Sequence, residues 1–138
     1  MRFKTELAET GLCLNSGGMI DPSKVVSIHP YFKVKPGKLD EAKGRLSEFI
    51  EKTATENSNL YYDFTLSDDV IFCREAYVGA EGLLKHLDNV GPTLAEFLKL
   101  VDVQRVELHG SAAELAKLKE PLSALNPQWF EFQAGVRK

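Results

Sequence analysis

Two cysteines and two methionines are all the sulfur in this 138-residue chain. Cys13 and Cys73 stand far apart, each without a CxxC partner. That argues against a disulfide framework or thiolate metal cluster and reads as reduced thiols of a cytoplasmic protein. Histidine is equally sparse: His29, His86 and His109 fall at neither HxH nor HxxxH spacing, so no metal site is expected. The chain has no P-loop, no GxSxG elbow and no GxGxxG turn after a strand, and so carries no fingerprint of a nucleotide, a serine nucleophile, a flavin or a nicotinamide. The expectation is a protein that works without a cofactor. No apolar run nears the roughly 18 residues that span a bilayer, and the opening MRFKTELAETGLCLNSGG lacks the apolar core of a secretory signal. Nor is there an excess of positive charge. Seventeen basic residues against 20 acidic ones give a net charge of −3, which argues against nucleic acid or an anionic membrane as partner.

What is present is the composition of a globular domain, 43% hydrophobic and 27% charged, with length enough for one core. Its clearest element is a hairpin. Leu60, Tyr62, Phe64 and Leu66 alternate with Tyr61, Asp63 and Thr65 at the period of a strand. Ser67-Asp68-Asp69 supplies a turn, and Val70 to Val78 resumes as a second strand rich in β-branched and aromatic residues. Arg74 and Glu75 interrupt that strand, where a charge must be paired or desolvated at a cost. One helical segment later comes His86, flanked by Leu83, Leu84 and Leu87. A helix folding back over the hairpin brings this imidazole to Glu75. Arg74 points to the opposite face and is expected to form an ion pair, with Glu107 or Asp63 across a dimer as options.

Leu60-Tyr61-Tyr62 as L-x-Y, Glu75-Ala76-Tyr77 as E-x-Y and Leu83 to Leu87 as L-x-x-H-L, in that order and spacing, resemble the antibiotic biosynthesis monooxygenase family of dimeric α+β barrels. The resemblance covers about residues 25–108. It departs from the family pattern at Ser58, where a glycine is usual, and in the segment DNVGPTLAEF after the histidine.

The remaining chain fits this order. Residues 1–22 are read as a flexible N-terminal arm, broken at Asn15-Ser16-Gly17-Gly18, with Met19 as an alternative start. Residues 23–138 form a single ferredoxin-like domain with a C-terminal extension from about residue 111. Val25 to Val34 is a strand in which Pro30 implies a bulge or an open edge. Lys38 to Asn57 is a helix with Leu39, Ala42, Leu46, Phe49, Ile50 and Thr53 as its apolar stripe. The helix of His86 is expected to run from Ala80 to Asn89 and to break at Val90-Gly91-Pro92, with a short helix over residues 93–100. In the strand Val101 to His109, Val101, Val103, Arg105, Glu107 and His109 share one face. Ser111 and Glu114 cap a helix over residues 112–119, stopped by Pro121. The tail NPQWFEF, with the lone Trp129, is expected to pack down.

The fold class is therefore α+β, a ferredoxin-like βαββαβ unit with an antiparallel sheet, an extra C-terminal helix and an aromatic tail. Its open sheet face carries apolar side chains, and a second copy would cover it. The resemblance likewise implies a homodimer closed into a barrel. By the same resemblance the activity is cofactor-independent oxygenation of a phenol or quinol by O2, with His86 as base and Glu75 fixing its tautomer. Tyr62, Tyr77, Tyr31 and His29 are candidate contacts to such an aromatic substrate. Three alternatives stand beside this: a structural lock between Glu75 and His86, a non-catalytic small-molecule-binding dimer, and the haem-degrading branch, whose relatives use a tryptophan on the sheet where none is expected here.

Overall fold

The computed structural model describes residues 20–138. Cys13, Met19 and all but the end of the expected arm lie outside that range. A 3-10 turn over Pro22–Lys24, capped by Asp21 accepting the Ser23 N–H, leads into β1 (Val25–Val34). The order is then α1 (Leu39–Gly44), α2 (Leu46–Thr53), β2 (Asn59–Ser67), β3 (Val70–Val78), α3 (Gly79–Phe97), β4 (Val101–Gly110), α4 (Ala112–Ala116) and β5 (Gln128–Glu131). The sheet runs β2-β3-β1-β4-β5, antiparallel except for β5, which lies parallel to β4. Its first four strands and the intervening helices are the expected ferredoxin-like unit. Among the described residues, no helix is long and apolar enough to cross a membrane.

Several expectations are corrected. The helix expected over residues 38–57 is two short ones that end at Thr53, parted after Gly44 at Arg45. The helix expected to break at Val90-Gly91-Pro92 is continuous through Pro92. A proline inside a helix costs about 3 kcal/mol through its missing N–H and its clash with the preceding turn. Here Pro92 and Asp88, whose carbonyl loses its donor, both sit on the solvent side. Meanwhile Leu83, His86, Val90, Thr93 and Phe97 form one unbroken buried stripe at spacings of three and four. Burial of that stripe outweighs the local penalty.

In β4 the register against β1 slips between Tyr31↔Arg105 and Phe32↔Val103, so Gln104 is an extra, bulged residue. The bulge overturns the expected parity. Val101 and Val103 face the helices together with Val106 and Leu108, whereas Arg105, Glu107 and His109 turn to the open face. Pro30 keeps its place opposite Val106, and its missing N–H falls on the other edge, where the β1–β3 register passes from Ile28↔Glu75 to Tyr31↔Phe72 without it. The C-terminal helix is shorter than expected, and the tail forms β5. Trp129, expected away from the sheet, is thus part of it, packed on the apolar cluster with Lys119 Nζ 4.3 Å from its ring centroid.

Between sheet and helices the core has two parts. Val26, Ile28, Tyr77, Leu83, Leu108, Leu115 and Leu118 fill one end, and Phe32, Phe49, Ile71, Val90, Phe97 and Val101 the other. Helix α3 spans both. Its start is held by Gly79, at φ +78°, and by the buried Glu114 of α4, whose Oε1 accepts the Ala80 N–H at 2.8 Å. This carboxylate does the work of a cap that Val78 cannot. One turn on, Gly82 lets α3 lie against the sheet, since a Cβ there would meet Ser58 Cβ at 2.8 Å. The serine that replaces the family's usual glycine therefore faces a glycine on the helix.

Candidate active site

The site lies where the two core clusters meet. Strand alternation turns Ile71, Cys73, Glu75 and Tyr77 of β3 toward the helices, and the buried stripe of α3 presents His86 to them. His86 Nε2 stands 3.3 Å from Glu75 Oε1, and both side chains are almost wholly buried. The expected meeting of the two is thus realised. Tyr77, fully buried, donates its hydroxyl to Glu75 Oε1 at 2.5 Å. The His86 ring packs between Tyr77 and Tyr62, with centroids 4.8 and 5.2 Å away.

A residue that sequence reasoning missed completes the group. Because α2 ends at Thr53, Glu56 falls in the following turn and reaches over α3 to His86 Nδ1, at 2.9 Å from Oε2 and 3.1 Å from Oε1. Asn89, one turn after His86, donates to Glu56 Oε2 at 2.8 Å and to the Lys52 carbonyl at 2.9 Å. A carboxylate only accepts, so the Nδ1 contact fixes the tautomer: Nδ1 carries the hydrogen and Nε2 is left bare toward Glu75. Nothing in the sequence around Glu56 marks it, since it follows the last residue of its helix's apolar stripe.

Burial sets the protonation of the pair. Desolvation pushes the Glu75 carboxyl up to about 7 against the pull of the Tyr77 and Cys73 side chains, with Glu56 pushing the same way as burial. Burial also holds the His86 imidazole below its ordinary value, although Glu56 works to raise it. Both shifts favour a neutral acid beside a neutral imidazole. The form with carboxylate and imidazolium has the same total charge and differs only by a proton moved across 3.3 Å. Such a pair can deliver a proton to a bound molecule or take one from it. Burial likewise raises the Tyr62 and Tyr77 phenols and the Cys73 thiol, so all three stay neutral donors.

Above this floor is a pocket of about 100 Å³. Of its described lining residues only Tyr62, Cys73, Glu75 and His86 carry polar side chains, and the walls are apolar side chains such as Ile28, Phe32, Phe49, Leu87 and Val90. Tyr77 lies beneath Glu75 rather than on the wall. Two predicted contacts are not brought here. His29 and Tyr31 lie on the opposite face of β1, where His29 Nε2 and Ser27 Oγ are 2.8 Å apart and Tyr31 packs on Phe72 at 4.7 Å. Single-residue alternation is the reason, because their neighbours Ile28, Pro30 and Phe32 take the pocket side. Arg74 also faces away and pairs with Asp63 of the same chain at 3.5 Å. Cys73 is a buried free thiol. No group of residues suited to hold a metal ion occurs among the described residues.

Neither a family model nor a curated protein sequence matches the chain. Solved structures do. MupZ from Pseudomonas fluorescens is 36% identical, with a TM-score of 0.81, over 84% of this chain and 91% of that one. The chain belongs to the MupZ family, with the antibiotic biosynthesis monooxygenase fold. That fold is shared with a Caulobacter crescentus CB15 protein described as an antibiotic biosynthesis monooxygenase, 21% identical over 63% of this chain and 89% of that one, at a TM-score of 0.57. A Chloroflexus aurantiacus J-10-fl protein of the same description is 17% identical over 61% and 89%, at a TM-score of 0.52. These two likenesses extend to the fold alone, whereas MupZ covers nearly all of the described chain.

Proposed function

We propose that this MupZ-family protein is an enzyme that moves a proton between the Glu75–His86 pair and an oxygen of a small, uncharged substrate, without a resident cofactor. The observation that carries this reading is the relay itself. Glu56 orients His86, His86 Nε2 faces a carboxyl poised near neutrality, and an apolar pocket opens onto both. A pKa near the working pH is what general acid–base catalysis needs, and a structural lock alone would not require a pocket. Within this reading the reaction is monooxygenation of a phenol or quinol. His86, relayed to Glu56, takes the hydroxyl proton, and the electron-rich phenolate passes an electron to O2 directly. Names of structural relatives support a monooxygenase. Oxygen uptake by metal- and flavin-free protein with a panel of hydroquinones tests it. Uptake that His86→Ala abolishes is expected, and no uptake with any of them overturns the oxygenase reading.

The raised pKa of Glu75, buried against His86 Nε2, favours a second reading. A neutral carboxylic acid in an apolar site donates well, so the pair would serve an O2-independent isomerisation or rearrangement in which Glu75 protonates a substrate oxygen while His86 Nε2 takes a proton from the substrate and hands it on to Glu75. Product formed at the same rate under anaerobic conditions would select this reading. The haem-degrading branch gains nothing from Trp129, which is on the sheet but does not line the pocket.

A further inference from the structure

We infer that the ligand of this pocket is elongated: a compact, uncharged, oxygen-bearing head seated on Glu75 and His86, and an aliphatic tail lying along an apolar rim made by Leu94, Leu98, Val103 and Leu125. The head rests on the acid–base reading given above; the tail rests on the rim alone.

Three observations carry this. The first is size. The pocket holds about 100 Å³, whereas an engineered apolar cavity of about 150 Å³ is what takes up a single benzene. That volume includes the space along the rim, so a compact head fits at the floor and a longer ligand must run out along the open mouth. The second is the distribution of polarity. Among the described residues every polar side chain of the lining sits at the floor, and no lysine or arginine lines any part of it. A head that arrives as an anion would be desolvated with no lysine or arginine of the described lining to pair it, so an uncharged head is favoured. The third is the rim. Leu98 at the end of α3, Val103 on β4 and Leu125 in the 3-10 turn Ser123–Leu125 come from three separate elements, yet converge on the pocket mouth. They are 39%, 44% and 44% exposed, a clustering of large apolar side chains that a soluble surface carries at a cost unless something covers it. The β4 bulge at Gln104 contributes, since it keeps Val103 and Val106 both on the pocket side. Rim and pocket are one continuous apolar surface whose only hydrogen-bonding end is the floor.

The test is calorimetric titration of the full chain with phenol and its 4-ethyl, 4-butyl and 4-hexyl derivatives. Affinity is expected to rise about threefold to fourfold per methylene, the scale of burying a CH2 group, until the rim is covered. The variants Leu98→Ser, Val103→Thr and Leu125→Ser should flatten this slope, weakening the hexyl derivative by a larger factor than phenol itself. In His86→Ala the slope should persist while the affinity of every member falls by a common factor. A slope retained in His86→Ala with no common loss would undo the head assignment and leave the tail standing. An affinity independent of chain length, a slope unchanged by the rim variants, or no binding by any member would overturn the inference.

Discussion

The two faces of the sheet each carry histidine beside carboxylate, and they end in opposite states. On the covered face His86 lies between Glu56 and Glu75, in apolar surroundings, with no arginine or lysine of the described residues paired to either carboxylate. On the open face His29, His109 and Glu107 form a comparable group, but each member is already engaged. Glu107 Oε2 is taken by Arg105 at 2.5 Å, His109 stacks on Phe130 with centroids 4.5 Å apart, and His29 meets the Ser27 hydroxyl. Burial and the neighbouring His109 lower the His29 pKa, so both faces hold a depressed imidazole. What separates them is the carboxylate. Glu107 is held by the Arg105 guanidinium on a partly open surface, whereas Glu75 is buried beside an imidazole, and burial raises its pKa.

The comparison breaks first at catalysis. His86→Ala should lower turnover by about 10²–10⁴, the scale of losing a general base, while His109→Ala leaves turnover per folded molecule unchanged. Equal losses, measured as initial rates on folded protein, would show that the two groups do not differ in role. The next largest effect should be on assembly. The open face presents Tyr31, Phe72 and Phe130 among its charged pairs, and pairing of two such faces is the expected homodimer. Phe72→Glu with Tyr31→Glu should dissociate it, each buried aromatic being worth roughly 1.5–3 kcal/mol. Sedimentation at micromolar concentration reads the outcome, and a stable folded monomer of the unaltered chain contradicts the dimer.

Stability against pH sharpens the contrast further. The folded pKa of Glu75, about 7, lies above its ordinary 4.5, so its protonated form contributes stability that is complete below pH 4.5 and lost as pH rises toward 7. Glu75→Gln should therefore gain stability relative to the unaltered protein across that window, by on the order of 3 kcal/mol at pH 8, even as it loses activity. Thermal or urea unfolding at pH 4.5 and pH 8 measures this; a gap that does not widen with pH would mean Glu75 is not protonated. Glu114 should behave in the reverse sense. Burial pushes its carboxyl up, but the Ala80 N–H and Lys117 outweigh that and hold it below the ordinary range. Its contribution is present above pH 4.5 and lost as pH falls through the folded value. Glu114→Gln should cost about 1 kcal/mol at pH 7, the scale of a helix cap, and less in acid. A cost that grows toward low pH would refute the capping role.

The first four strands, the hairpin, the ferredoxin-like order and the meeting of Glu75 with His86 were legible in the chain, whereas β5 and the facing of β4 were not. Alternation along β3 and the three-and-four spacing along α3 both record which side of an element is buried, and the two residues fall on those sides. Periodicity is a local property, so it reported nothing that depends on what lies across a gap. Only packing decided that Pro92 is carried inside α3, because a buried stripe running to Phe97 offsets a missing bond on the wet side. Only the register of β4 against β1 showed the bulge at Gln104 that reassigns Val103 and turns Arg105, Glu107 and His109 outward. Parity likewise could not say which face of β1 the helices would cover, and so His29 and Tyr31 fell away from the site. Glu56 was the least legible of all. It follows the end of a helix, 30 residues before His86, in a turn without apolar pattern, and only the way α2 and α3 cross brings its carboxylate to within 2.9 Å of the imidazole.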